Sequence, residues 1–160
     1  MQKSAPRRGS LILVSLGLLR VVATAHGLAV FAQPVFAGAY LSGQYDRLAL
    51  HALGADLVSY LGYGQLVITI VLLIIGGPRW PLPATLLVVA AETGQYVAGL
   101  AGALDLHVPL GVAIVAGNVV LVINLWRPQT RGVSVSQPLS GPEPAPGEAA
   151  RGSAADGIAR

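Results

Sequence analysis

The 160-residue chain contains no cysteine. Disulfide staples, thiolate metal sites and cysteine nucleophiles are therefore excluded. Charge is scarce as well. Asp, Glu, Lys and Arg make up 11% of the residues, against about a quarter in an ordinary soluble domain. The chain has no H-E-x-x-H, no G-x-S-x-G, no P-loop and no C-x-x-C-H, so nothing in it resembles a hydrolytic site.

What fills the space is apolar. Hydrophobic residues make up 54% of the chain and the mean hydropathy is +0.67. They fall into long runs rather than spreading as they would through a single soluble core. The net charge is +3, and the basic residues stand at the ends of the apolar runs. That placement reads as membrane orientation and not as nucleic-acid binding. The expected partner is the lipid bilayer; the oligomeric state is left open.

A transmembrane helix needs about 20 mostly apolar residues. Four stretches qualify: Leu11 to Ala39, Leu48 to Ile75, Pro83 to Leu104, and Leu106 to Trp126. Backbone groups in lipid must be satisfied internally, and these runs lack the alternation of a barrel, so the spans read as helices. The connections are short, with Leu41 to Arg47 first, Gly76 to Leu82 second and little more than Asp105 third. Tight connections make neighbours antiparallel. The expected fold is all-α, a transmembrane up-down four-helix bundle made of two similar hairpins. A basic N-terminus (1–10) precedes the bundle (11–126), and a tail (127–160) follows it. The Pro-, Gly-, Ala- and Ser-rich tail has too little apolar surface to offset its chain entropy and reads as disordered.

Orientation follows from Lys3, Arg7, Arg8, Arg79, Arg127 and Arg131, which fall on one side, while Arg47 stands alone on the other beside Asp46. Both termini are expected in the cytoplasm, with the protein multi-pass in a bacterial inner membrane. Trp80 and Trp126 lie at the same boundary as the basic residues. The start also has the shape of a signal peptide, with Ala23-Thr24-Ala25 as an A-x-A site. Arg20 interrupts its apolar core, and an uncleaved first helix is the expectation. Arg20 is long enough to snorkel to cytoplasmic headgroups.

The two hairpins carry a weak internal repeat. One reads Gln33-Pro-Val-Phe-Ala-Gly38, a loop, then Leu48-Ala-Leu-His51 and Gly54. The other reads Gln95-Tyr-Val-Ala-Gly99, a loop, then Leu104-Asp-Leu-His107 and Gly111. Each places a histidine within about one turn of the outer boundary. Gly54 (i+3) and Gly111 (i+4) share the faces of their histidines, leaving room for a flat ligand. Imidazole is a common axial ligand of haem iron. The pair His51 and His107 can therefore hold a haem b, with Arg47 near one propionate. The other reading is a pair of interface histidines with structural or substrate contacts.

The pattern Q…AG…loop…L-x-L-H-x-(x)-L-G resembles a hairpin of the haem A synthases, and also small four-span bacterial membrane proteins. The resemblance covers roughly Gln33 to Trp126. It implies a haem bound by histidines on two helices, here His51 and His107, and with it a membrane redox or haem-handling partner. The chain has one four-helix unit where the synthase has two. It also lacks the synthase's glutamate-plus-His-Arg signature, so the resemblance speaks for haem binding and not for haem modification.

Ionisable groups deep in lipid are costly and are functional hypotheses by default. His26 and Glu92 both fall near mid-membrane and can pair. Gln33 shares the His26 face at i+7, Gln95 shares the Glu92 face at i+3, and Asn118 approaches from the fourth helix. Together they form a polar seam, either a proton path or second ligand set, or a clamp between helices. Asp56 points away from His51 and is expected to orient a neighbouring helix or pair with a tyrosine. With Tyr60, Tyr63 and Gln65 it gives the second span a polar character, which places much of that span inside the bundle. Gly99 and Gly102 read as a close-packing face, and Gly62 and Gly64 as local flexibility. Two functions follow: a haem-b protein of electron transfer or haem handling, or a cofactor-free transporter-like or accessory subunit centred on Glu92. Neither reading requires a stand-alone enzyme.

Overall fold

The computed structural model describes residues 5–128, with side chains from residue 8 onward. The expected tail lies outside the described residues from residue 129 on. Four helices are present: α1 (Ala5–Leu41), α2 (Arg47–Ile74), α3 (Pro81–Leu100) and α4 (Leu104–Trp126). Helix α1 already begins within the expected basic N-terminus, and it continues through Pro34. Pro81 stands at the first position of α3, where its missing N–H costs nothing.

Each connection is made the same way. Gly43, Gly76 and Gly102 have φ of +95°, +78° and +68°, a region that favours glycine because it has no Cβ. After each glycine the next N–H reaches back to a carbonyl of the ending helix: Gln44 to Ala39 (3.1 Å), Gly77 to Leu72 (2.7 Å) and Ala103 to Ala98 (3.0 Å). This is the Schellman arrangement, which satisfies carbonyls a helix end would otherwise orphan. Two boundaries move as a result. Asp105 lies in the first turn of α4 and is not the joint between α3 and α4, and Gly102 is a turn residue rather than part of a packing face with Gly99.

The helices pack around a ring, α1 on α2, α2 on α3, α3 on α4 and α4 on α1, with α1 opposite α3 and α2 opposite α4. The polarity of the bundle is the reverse of a soluble one. Large apolar residues such as Leu13, Leu28, Leu87 and Val112 face outward, while His26, Gln65, Thr69, Thr85, Glu92 and Asn118 are buried. Hydrocarbon does not penalise exposed leucine, and it strongly penalises exposed polar groups. The chain is an integral membrane protein. Helices α1, α2 and α4 are long and apolar enough to cross a bilayer; α3, at 20 residues, carries Thr85, Glu92, Thr93 and Gln95.

Two apolar clusters fill the interior. Leu19, Ala23, Leu72, Val88, Leu121 and Leu125 form one toward the chain termini. Val30, Val58 and Ile114 form the other toward the α1–α2 and α3–α4 turns. On α1, α2 and α4 the buried polar residues fall between these clusters, and on α3 Thr85 and Glu92 stand on either side of Val88.

Candidate functional site

The polar layer draws on all four helices. His26 of α1 is fully buried, and its Nε2 lies 3.0 Å from Oε1 of Glu92 on α3. The approach is close enough for an ion pair but too bent for a good hydrogen bond. The His26 Nδ1 is 3.3 Å from Oε1 of Gln65 on α2. That amide is oriented by its own donor, since Gln65 Nε2 donates to Thr85 Oγ1 at 3.1 Å. With the amide so placed, Nδ1 is the donor to Gln65, and Nε2 is the ring nitrogen turned to the Glu92 carboxylate. Asn118 of α4 donates from Nδ2 to Glu92 Oε1 (3.2 Å) and to the Ile114 carbonyl (3.2 Å).

Gly62 makes this approach possible. A Cβ there would lie 3.0 Å from Glu92 Oε2 and 3.3 Å from His26 Cε1. The sequence suggested flexibility at Gly62; its role is a floor beneath the ion pair. The expected pairing of His26 with Glu92 and the approach of Asn118 are present. Gln33 and Gln95, expected in the same seam, belong elsewhere, and Gln65 and Thr85 take their place.

Gln33 and Gln95 serve the two remaining histidines. His51 Nδ1 is 3.2 Å from the Gln33 carbonyl, and His107 Nδ1 is 2.9 Å from the Gln95 carbonyl. Thus the glutamine and the histidine of each sequence repeat meet within their own hairpin. Each carbonyl fixes Nδ1 as the donor and leaves Nε2 with a free lone pair. The rings stand on opposite helices, α2 and α4, with centroids 6.1 Å apart and planes inclined at 73°. The Gln33 and Gln95 carboxamides cover Gly54 and Gly111, and a Cβ at Gly111 would lie 2.8 Å from Gln95 Nε2. The amide oxygens of both glutamines are buried without a partner. Gly99 supplies the face on which the His107 ring lies, a Cβ there being 2.8 Å from its Cε1.

The ring spacing is that of two imidazoles on one iron. Two metal–nitrogen bonds of about 2 Å leave imidazole centroids about 6 Å apart, and carbonyl-held histidines with free Nε2 atoms are the usual ligand form. A flat macrocycle would reach the two glycine faces only after the carboxamides turned away. Among the described residues no group of three or more His, Cys, Asp or Glu could hold a metal ion.

The other expected residues are placed as follows. Arg47 donates to Gln44 Oε1 (3.2 Å) and lies 3.6 Å from Asp46 at the turn end. Arg20 reaches toward the C-terminal end of α4. Its Nε donates to the Leu125 carbonyl at 2.8 Å, with the guanidinium 5.5 Å from the Trp126 ring, so it caps the negative end of α4. Asp56 pairs with a tyrosine as expected, accepting from Tyr96 at 3.1 Å. It does so on the outer surface, and Tyr60 and Tyr63 are exposed there too. The expectation that much of α2 faces inward fails at these residues: its buried face is Val58, Gly62, Gln65, Thr69 and Leu72, a stripe at helical spacing, and the tyrosines fall off it. No known family, curated protein or solved structure matches the chain.

Proposed function

We propose that the protein is a four-span transporter-like or accessory subunit of a bacterial inner membrane, with both termini cytoplasmic, whose working element is the buried network centred on Glu92. The observation that carries this reading is the His26–Glu92 pair, sealed in the bundle and held from every helix. The pair keeps the same net charge whether its proton sits on His26 or on the carboxylate. Such a pair can hold one proton and shift it between its two members without placing a net charge in hydrocarbon, and taking up or releasing a proton changes its charge by a single unit. Glu92→Gln keeps the shape of the side chain and removes the carboxylate. In proteoliposomes under a pH gradient, with a pH dye inside, the wild type should relax the gradient faster than Glu92→Gln of equal folding. Equal rates would reduce Glu92 to a clamp between helices.

A second reading rests on a separate observation, the facing His51 and His107 rings with carbonyl-held Nδ1 atoms. It makes the protein a carrier of haem b in electron transfer or haem handling, with a membrane redox or haem-handling partner. Haem would supply one-electron chemistry at this end of the bundle. His51 and His107 would hold it, and Arg47 would pair with a propionate. The likeness of the hairpins to those of the haem A synthases supports the same assignment. Protein purified in mild detergent after expression with haem supply should show a Soret band that both His51→Ala and His107→Ala abolish. Colourless, folded protein would end this reading.

A further inference from the structure

The outer face between α2 and α3 carries a feature that neither reading uses. A cleft of about 230 Å³ opens sideways there, lined by Asp56, Ser59, Tyr60, Tyr63, Thr93 and Tyr96. Asp56 lies about 9 Å along α2 from Gly62, the floor of the His26–Glu92 pair, at a rise of about 1.5 Å per residue, so it stands between that mid-depth layer and the turn end, still within a hydrocarbon layer about 30 Å thick. Among the described residues, Asp56 and Glu92 are the acidic side chains deep within the helices. Glu92 is paired and buried, whereas Asp56 is exposed toward lipid and has one partner, the Tyr96 hydroxyl. No basic residue lines the cleft.

A carboxylate facing hydrocarbon with a single hydrogen bond is poorly compensated. Its surroundings resemble those that recognise cations. Three tyrosines line the cleft beside the charge, and aromatic faces attract cations, organic ammonium groups included. The volume lies below the ~300–1,000 Å³ of pockets for drug-sized ligands, which suits an ammonium headgroup with its apolar remainder left in lipid. We propose that this cleft binds a small organic cation, an alkyl- or aryl-ammonium entering sideways from the bilayer, with Asp56 as counter-ion and the rings of Tyr60 and Tyr63 as its walls. The site does not depend on the fate of the Glu92 network or of the histidine pair.

The test uses the full chain in a non-ionic detergent, with benzyltrimethylammonium as probe and its uncharged carbon analogue, 2,2-dimethylpropylbenzene, as control. Saturable binding of the cation by calorimetry is expected, and none of the control. Asp56→Asn can still accept from Tyr96, so it should keep the wild-type elution and melting while weakening binding by at least about tenfold. Tyr60→Leu and Tyr63→Leu remove exposed rings outside the internal network. Each should weaken binding by about threefold or more, which keeps the test open if the Asp56 variant misfolds. Equal binding by wild type and all three variants would overturn the proposal, as would equal binding of the uncharged control. A wild type that ignores the probe and is a dimer, while Asp56→Asn is a monomer, would overturn it too, because the cleft would then be covered by a second copy.

Discussion

The bundle contains two polar layers that solve the same problem in opposite ways. The mid-depth layer is built once, from five different residue types on four helices. It is close to saturated: His26, Gln65, Thr85, Glu92 and Asn118 each face another member, and the one atom without a well-formed hydrogen bond, His26 Nε2, lies against the Glu92 carboxylate. The layer toward the turns is built twice, from the same Gln, His and Gly in each hairpin. It is left unfinished, with two buried amide oxygens unmatched and two imidazoles facing each other. A saturated layer specifies which helices meet and at what depth. An unsaturated layer has donor and acceptor capacity in reserve, as a ligand site does before its ligand arrives.

Substitutions should separate the two layers, and the largest effect is expected at Glu92. Glu92→Ala leaves His26 and Asn118 without their shared partner and should destabilise the bundle by about 3 kcal/mol, read from unfolding in mixed micelles. A loss well under 1 kcal/mol would mean the layer is not saturated in the way described. Gly62→Val should follow at about 2 kcal/mol, because its Cβ alone meets Glu92 Oε2 at 3.0 Å and the pair cannot spread without leaving Gln65 and Asn118. Its counterpart in the other layer behaves differently. A Cβ at Gly111 meets the Gln95 amide, the free end of a flexible side chain. Gly111→Ala should therefore change stability by less than about 1 kcal/mol, since helix propensity favours Ala by a similar amount. His51→Ala and His107→Ala should each cost about 1 kcal/mol or less in cofactor-free protein, the value of one hydrogen bond to a carbonyl. A larger loss would move this pair into the structural core. The smallest effect is expected outside both layers: Ser42→Ala removes one exposed hydrogen bond, to the Gly38 carbonyl at the first turn, and should cost about 0.5 kcal/mol.

The sequence carried the outline of both layers unevenly. Helix number, the short turns and the His26–Glu92 pair were legible because charge is scarce in lipid, so each mid-span ionisable residue stands out. Asn118 was found by the same logic. Gln65 and Thr85 were missed as members of the network, because a neutral polar residue in a span faces inward or outward according to rotation about the helix axis, and the rotation of α2 is set by its neighbours. The same ambiguity put Tyr60 and Tyr63 inside. A tyrosine ring is apolar enough to lie against lipid, so its exposure is not forbidden as that of glutamine is. Gln33 and Gln95 were assigned to the wrong layer. Their faces were read correctly from spacing, but the repeat already contained the better signal. A glutamine and a histidine at matching places in two hairpins meet across each hairpin through a backbone carbonyl, and that partner leaves no trace in residue type. Gly62 was legible only as small. The reason for its size, an ion pair lying directly over its Cα, appears only when three helices are brought together.

If Glu92 and His26 hold a transferable proton, proton flux depends on the Glu92 carboxylate. The most direct measurement compares proton flux and unfolding for the wild type and Glu92→Gln in the same proteoliposomes. The variant should stay folded, losing no more than about 1–3 kcal/mol for one altered buried hydrogen bond, while its flux falls to the level of protein-free vesicles. A folded variant with undiminished flux, or a wild type whose flux equals that of empty vesicles, would contradict it.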